Sequence, residues 1–275
     1  MSKTITISLV ILVLLFFLYP YMWVITASLQ SDSTIFNGNV KFIPDEASLE
    51  NYIPLFTSEY GINFFFKYLL NSIYVGLPTA ILSTIIAAMS AYSLSRYPIP
   101  GKEIFAKLLL LIYVFPTVLM ILPVEGIMAH FKLINTKLSL IIIHTALAVP
   151  FCTWLLRSFF EAVPKDIEEA AIVDGCGKFR TFISIILPLT APGVVTVFIY
   201  SLASSWGEYL FASILIRSNE LKTLPLGLAM YTTDQYIEWG KLLAGTVVIF
   251  VPLLIIFIPL SRYFIKGFLE GAIKL

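Results

Sequence analysis

Long stretches without a charged side chain limit the fold of this chain more than any other feature. A helix needs about 20 predominantly apolar residues to cross the hydrocarbon core of a bilayer. The stretch at 108–124 is marginal by this measure and contains Pro116 and Pro123. We count it as a span, because without it the loops before and after it would be assigned to inconsistent sides of the membrane. The pattern therefore predicts six transmembrane helices. The stretches are residues 4–31, 68–95, 108–124, 138–156, 181–207 and 242–261.

The composition also points to a membrane protein. Hydrophobic residues make up 59% of the 275 residues and charged residues only 13%, whereas about a quarter of the residues in soluble domains are charged. The net charge of +1 provides no overall field for nucleic acid, so no nucleic-acid partner is expected. Cys152, Cys176, His130 and His144 show no paired ligand spacing, so neither a disulfide framework nor a metal site is expected.

The distribution of Lys and Arg predicts the orientation. With a cytoplasmic N-terminus, the inner segments hold 11 of the 18 basic residues, which agrees with the basic excess of cytoplasmic loops. The first stretch is too long for a signal peptide and is interpreted as a retained helix. We predict one domain, residues 1–275, forming an all-α integral protein of the cell (cytoplasmic) membrane with both termini cytoplasmic. The expected spans are 5–29, 68–95, 106–126, 138–158, 189–214 and 242–263, with a cytoplasmic loop at 160–188.

The cytoplasmic loop at 160–188 is predicted to form a helix, a sharp turn and a second helix. Pro164 suits a first helical turn, and the acidic residues after it favour the positive end of a helix dipole. Gly175 and Gly177 can end this first helix, and a second apolar periodicity begins at Lys178. From the residues alone, two interpretations stay open. The loop is either a docking element for another protein or an amphipathic linker that covers the inner end of the bundle.

The spacing of residues in this loop resembles a known motif. Glu169-Ala170-Ala171, Gly175, Ile185 and Leu187-Pro188 match the EAA loop of permease subunits in binding-protein-dependent ABC importers. The family usually has Ala where this chain has Cys176, a small-for-small change. Other segments resemble the sugar-importing branch, and among its members the smaller permease of maltose-type transporters. These segments are 19–23, 28–29, 71–72, 91–96, 100–102, 206–209, 223–225 and 264–274.

The resemblance implies a type I, maltose-type permease fold and a set of partners. These are a second permease that completes a heterodimer, two ATPase subunits, an extracytoplasmic substrate-binding protein and membrane lipid. No G-x-x-x-x-G-K-[ST] motif occurs, so ATP and Mg are expected on the ATPase, with no catalytic residue and no cofactor in this transport subunit. The resemblance assigns coupling to the ATPase to Glu169, Ala170, Ala171, Asp174, Gly175, Ile185, Leu187 and Pro188.

Residues of the substrate path are harder to identify. Polar groups within spans mark candidates, which are Asn71, Ser205, Trp206 and Glu208. Such groups also commonly join helices or anchor them at the interface. In maltose-type transporters the sugar pocket lies mainly in the other permease. By resemblance, contact with the binding protein is predicted for Tyr231, Tyr236 and Trp239, which otherwise form an ordinary aromatic rim.

Taken together, these patterns predict a permease of an ATP-driven importer for a sugar, with a disaccharide or oligosaccharide as the first expectation. Glycerol phosphate or another non-sugar solute is an alternative. An ion-coupled secondary transporter or a channel subunit is a second alternative, which would require carboxylates near the middle of the membrane and usually paired repeats. A structural membrane-assembly subunit is a third, and it would not depend on an ATPase.

Overall fold

The computed structural model describes residues 3–57, 64–232 and 237–272, with side chains given except at 64 and 260–272. The described residues are almost entirely helical. The α-helices are α1 (Lys3–Ser28), α2 (Asp32–Phe36), α3 (Ile53–Phe56), α4 (Phe64–Arg96), α5 (Lys102–Val114), α6 (Ile121–His130), α7 (Lys137–Glu161), α8 (Lys165–Val173), α9 (Lys178–Thr181), α10 (Leu187–Leu189), α11 (Ala191–Trp206), α12 (Leu210–Leu215), α13 (Leu224–Leu228) and α14 (Trp239–Ala272). Single turns of 3-10 helix cover Thr117–Met120, Asn219–Leu221 and Ala229–Tyr231, and a π-helical turn covers Phe182–Ile186.

Four helices are long and apolar enough to cross a membrane on their own. They are Lys3–Ser28, Phe65–Arg96, Lys137–Glu161 and Trp239–Pro259. Two further candidates are pairs of helices bent sharply at a short break, which brings the number of spans to six if each pair counts as one. The first pair joins α5 to Thr117–His130 at 90°, and the second joins Lys178–Leu189 to α11 at 81°.

The bend after α5 interrupts the third predicted span, 106–126. Its cause is local. Phe115 has an extended backbone, with ψ of 132°, because the ring of a following proline excludes the helical conformation from the preceding residue. Pro116 also lacks the N–H that would continue the helix. The fifth predicted span, 189–214, is also interrupted, because α11 ends at Trp206 and α12 begins only at Leu210.

The chain divides into two compact units. One contains Met1–Leu69 and Leu224–Leu253, and the other contains Leu70–Thr223 and Leu254–Leu275. In the first unit, Asn51 accounts for the end of α1, since its side-chain amide donates to the carbonyls of Ser28 and Gln30 at 2.9 and 2.7 Å. The most apolar window of α1 buries none of its residues within the chain, so its covering must come from lipid or another subunit.

The second unit has a core where α4, α7, α11 and the π-helical turn meet. Small residues on α4 and α7 allow the helices to approach closely, and large ones fill the space between them. The turn contributes Phe182 and Ile186 to this core, so the loop at 160–188 is packed onto the spans rather than free. The buried members of this core are Ala87, Ala88, Ala91, Ala148, Cys152, Leu156, Phe160, Phe182, Ile186 and Val197.

Gly193 allows α11 to pack against α7, and we predict that a methyl group there destabilises the fold. A Cβ at Gly193 would lie 2.5 Å from Cγ of Phe159, whereas a Cβ at Gly126 in α6 would meet no atom within 4 Å. Gly193→Ala should therefore cost about 1–3 kcal/mol and lower the melting temperature of the purified protein in detergent. Gly126→Ala is the matched control and should leave it equal or higher, since Ala favours helix. Equal melting temperatures for both variants would contradict the packing described here.

Candidate functional site

Helix α8 is a short helix with a defined beginning and end. Pro164 occupies its N-cap position, and Asp166 and Glu168 lie in its first turn, where carboxylates are stabilised by the helix dipole. The helix ends at Gly175, whose φ of +86° is readily adopted only by glycine. Backbone N–H groups of Gly175 and Cys176 donate to the carbonyls of Ile172 and Ala171 at 3.0 and 2.9 Å. This arrangement is the usual closing turn of a helix that stops sharply.

The residues predicted to couple to an ATPase divide into two groups. Glu169, Ala170, Asp174 and Gly175 are exposed, as is Pro188. Ala171 is buried, and Ile185 and Leu187 pack against the core. The exposed face also carries apolar side chains, including Val173 at 86% exposure. Within this unit, α8 therefore presents an uncovered face of mixed apolar and acidic character, held from behind by the core.

A buried ion pair fastens α8 to the end of α4. The guanidinium Nε of Arg96 donates to the carboxylate of Glu168, and the two side chains are only 8% and 12% exposed. Arg96 also donates from Nη2 to the carbonyl of Val163 at 2.8 Å, and Tyr92 Oη donates to Glu168 at 3.0 Å. Local sequence patterns did not predict this cluster. The only signal was that Arg96 ends a span and Glu168 precedes the motif, and neither observation shows that they meet.

Two of the four predicted substrate-path residues lie together in a second polar cluster. His144 of α7 lies 2.8 Å from Ser205 Oγ through Nδ1 and 3.0 Å from Glu208 Oε2 through Nε2. The Glu208 carboxylate also accepts the backbone N–H groups of Phe211 and Ala212 at 2.7 and 3.1 Å. Glu208 therefore caps the start of α12 and holds the imidazole at the same time.

The other two predicted substrate-path residues have structural contacts. The Asn71 side-chain amide donates to the carbonyls of Glu220 and Lys222, both at 2.9 Å, and so fastens the loop after α12 to α4. Partial burial of this loop lowers the pKa of Lys222. Trp206 is buried, and a Cβ at Gly76 would lie 3.8 Å from its ring. Neither residue lines the cavity beside Glu208.

Of the three residues predicted to contact a binding protein, Tyr231 and Trp239 lie in the first unit and differ in exposure. Tyr231 is half-buried and lines a cavity of about 210 Å³ with Tyr68 and Glu238. Burial raises the pKa of Tyr231, and the Lys241 ammonium lies 5.7 Å from the centre of its ring. Trp239 is exposed at the start of α14. Tyr236 lies outside the described residues. In the described part of the chain, no three His, Cys, Asp or Glu residues are grouped to hold a metal ion.

Comparison with known proteins identifies the family. Residues 80–270 match the model of the family described as binding-protein-dependent transport system inner membrane component. The trehalose transport system permease protein SugB of Mycobacterium tuberculosis is 32% identical over 94% of this chain and 92% of its own length. The arabinooligosaccharides transport system permease protein AraQ of Halalkalibacterium halodurans is 31% identical over 93% of this chain and 91% of its own length.

The fold is similar to that of a solved transporter. The match is to a chain of a bacterial ABC transporter involved in the import of the acidic polysaccharide alginate, with a TM-score of 0.76 and 21% identity over 95% of both chains. The predicted all-α permease fold and the predicted location in the inner membrane are therefore confirmed. The chain belongs to the family of inner-membrane components of binding-protein-dependent transport systems.

Proposed function

We propose that this chain is the smaller permease of an ATP-driven importer that moves a disaccharide or oligosaccharide into the cytoplasm. The support for this proposal is the set of sugars for which the relatives are named. Full-length relatives transport trehalose, arabino-oligosaccharides and diacetylchitobiose, and each matches at least 93% of this chain. A permease of this family needs partners, which we expect to be a second permease, two ATPase subunits holding ATP and Mg, and an extracytoplasmic binding protein. Both termini are expected to be cytoplasmic.

The exposed face of α8 is the proposed contact with the ATPase. This helix of nine residues exposes the apolar side chains of Ile172 and Val173 beside Glu169. Adjacent exposed apolar side chains rimmed by polar residues are typical of a protein–protein contact. Its acidic residues suit a groove lined with basic side chains. The contact is proposed to include the exposed residues Glu169, Ala170, Asp174, Gly175 and Pro188. The buried or partly buried residues Ala171, Ile185 and Leu187 hold the loop on the bundle.

The cluster of Arg96 and Glu168 is the proposed mechanical joint between this contact and the membrane. Movement of a docked helix reaches the spans only if the helix is rigidly attached to them. Arg96 attaches the first turn of α8, through Glu168, and the residue before Pro164, through the Val163 carbonyl. Two attachments from one guanidinium restrict tilting of α8 relative to α4. Closure of an ATPase dimer would then be transmitted directly to the second span.

The substrate is tested by uptake into proteoliposomes that contain the complete transporter and its binding protein. Trehalose, maltose, diacetylchitobiose and glycerol phosphate are supplied one at a time. Each is tested with and without ATP on the side of the membrane that the ATPase subunits face. We expect ATP-dependent accumulation of one of the neutral sugars and none of glycerol phosphate. Uptake driven by an ion gradient without ATP, or uptake of glycerol phosphate alone, would contradict the proposal.

The coupling contact is tested by substitutions on the exposed face of α8. Glu169→Arg reverses a charge, and Gly175→Val strains a backbone with positive φ, by roughly 1–2 kcal/mol or more. Both should reduce co-purification of the ATPase and lower ATP-driven uptake at least about tenfold, which corresponds to a loss of 1.4 kcal/mol. The control is Glu46→Arg, an exposed acid in the other unit. Unchanged association and uptake in both α8 variants would show that the ATPase binds elsewhere.

The joint is tested by exchanging its charges. Arg96→Glu or Glu168→Arg alone leaves a buried charge without its partner, which typically costs about 3–5 kcal/mol, and each should abolish uptake. The double variant should recover part of the uptake, because the pair is restored with reversed sign. Lys41→Glu provides the control, since Lys41 and its partner Asp45 are both exposed, at 60% and 74%, and such pairs contribute little. If Lys41→Glu is as damaging as Arg96→Glu, the joint has no special role.

A further inference from the structure

A cavity of about 150 Å³ opens beside the cluster of His144 and Glu208, within the second unit. It is open on one side. We call it the polar cavity and define it by its lining, which comes from α5, the 3-10 turn after it, α7 and α11. These residues are Ile112, Tyr113, Thr117, His144, Leu147, Ala148, Tyr200, Ser204, Ser205 and Glu208. The coupling residues are not among them, so the cavity is a separate feature of the chain.

Two of the helix breaks lie at this cavity. Tyr113 and Thr117 lie on either side of the break at Phe115 and Pro116, and Glu208 lies in the break between α11 and α12. Broken helices expose backbone groups that lipid cannot satisfy, so they are tolerated in a membrane only where they face protein or a water-filled cavity. In transporters, breaks of this kind surround substrate sites. The polar cavity therefore belongs to a water-filled path or to an interface with another subunit, not to the lipid surface.

One wall of the cavity is polar and carries negative charge. Both ring nitrogens of His144 are engaged within the cluster, Nε2 with Glu208 and Nδ1 with Ser205. Each carboxylate oxygen can accept two hydrogen bonds, and Oε1 of Glu208 accepts one, from the Phe211 N–H group. A further hydroxyl can therefore donate to it. None of the ten lining residues is Lys or Arg, so an anionic ligand would meet the Glu208 carboxylate without a Lys or Arg side chain to offset the repulsion.

Another part of the lining is aromatic and carries hydroxyl groups, from Tyr113 and Tyr200. The rings of Tyr113 and Tyr200 flank Phe151, with centroid distances of 4.7 and 4.5 Å. Tyr200 Oη donates to Tyr113 Oη at 3.3 Å, which leaves the Tyr113 proton for another acceptor. Ser204 is exposed at the edge of the cavity. Apolar ring faces beside a few placed donors and acceptors are typical of small-molecule sites, and a pyranose ring matches them with its C–H faces and its hydroxyl rim.

We propose that the polar cavity is a subsite for one ring of a neutral, hydroxyl-rich sugar on its way through the membrane. The proposal rests on the proposed function and deepens it, because it places sugar contacts in this permease. Glu208 accepts a sugar hydroxyl, Tyr113 and Ser204 exchange hydrogen bonds with others, and the tyrosine faces cover the apolar side of the ring. With no Lys or Arg in the lining, the Glu208 carboxylate disfavours acidic sugars.

The experiment measures whether sugar protects the cavity from a water-soluble maleimide in the complete reconstituted transporter. Ser204→Cys is introduced with Cys176→Ala, which leaves Cys152 as the native thiol, buried in the core. Trehalose, maltose and diacetylchitobiose are each added at millimolar concentration, with digalacturonate as the acidic comparison. The sugar that the unmodified transporter takes up should slow labelling at least about threefold, whereas digalacturonate should not. The control is Ser213→Cys, which is exposed on α12 outside the cavity and should be labelled at the same rate with or without sugar.

Two results would overturn the subsite while leaving the importer intact. The first is labelling of Ser204→Cys that sugar does not slow, in vesicles that still accumulate that sugar. The second is no labelling at all when Ser213→Cys is labelled, which would mean that another subunit covers the cavity. If the unmodified transporter accumulates none of the three neutral sugars, the proposed function fails, and the subsite fails with it.

A second variant tests the subsite without a new thiol. Tyr113→Phe removes one hydroxyl and keeps the ring, so it should raise the half-saturating sugar concentration for uptake about three- to tenfold, as expected for one hydrogen bond, with the maximal rate maintained. Tyr209→Phe is the control, since Tyr209 is exposed beside Glu208 but does not line the cavity. Equal half-saturating concentrations for the two variants would also overturn the subsite.

Discussion

Lipid offers no hydrogen-bond partner, and this constraint shapes the structure. Backbone groups in a membrane must be satisfied within a helix or covered by protein or water. The interruptions at Pro116 and between α11 and α12 are therefore positions where something other than lipid must lie. They meet at one cavity, where Glu208 caps the new helix and holds His144. A helix break that would be costly at the lipid surface becomes useful where it surrounds a polar space.

The same constraint explains where the few charges of the chain are placed. With 13% charged residues, each charge near a span must be paired or lie at an end. Arg96 ends α4 and pairs with Glu168 of α8 while it also bonds the Val163 carbonyl. The pair is nearly buried, so its partners hold each other in fixed geometry, whereas the exposed partners of Arg157 do not. A rigid connection between a surface helix and a span is what transmission of force from an ATPase requires.

Much of the fold could be predicted from local patterns. Helix α8 and its end at Gly175 follow from the acidic first turn and the glycine, because both effects act within one turn of helix. The cause of the break at Pro116 is equally local, although the hydropathy pattern predicted a single span over 106–126. The bend of 90° is not local, since the angle depends on packing around the break. Ser205 and Glu208 were identified as polar groups at depth, and Asn71 and Trp206 shared that property although their contacts hold helices and loops together.

The sequence by itself determined that the chain lies in a membrane, which stretches are apolar and helical and which loop resembles a coupling motif, because hydropathy, capping residues and motif spacing are properties of neighbouring positions. It did not show that the third and fifth predicted spans are interrupted. Only the tertiary structure decided which distant residues meet. Arg96 reaches Glu168 across 72 positions and His144 reaches Glu208 across 64. Nothing in the local pattern distinguishes these partners from other charged or polar residues. Such pairings arise from the packing of α4, α7 and α11 around a shared core, which brings side chains together irrespective of their separation in the chain.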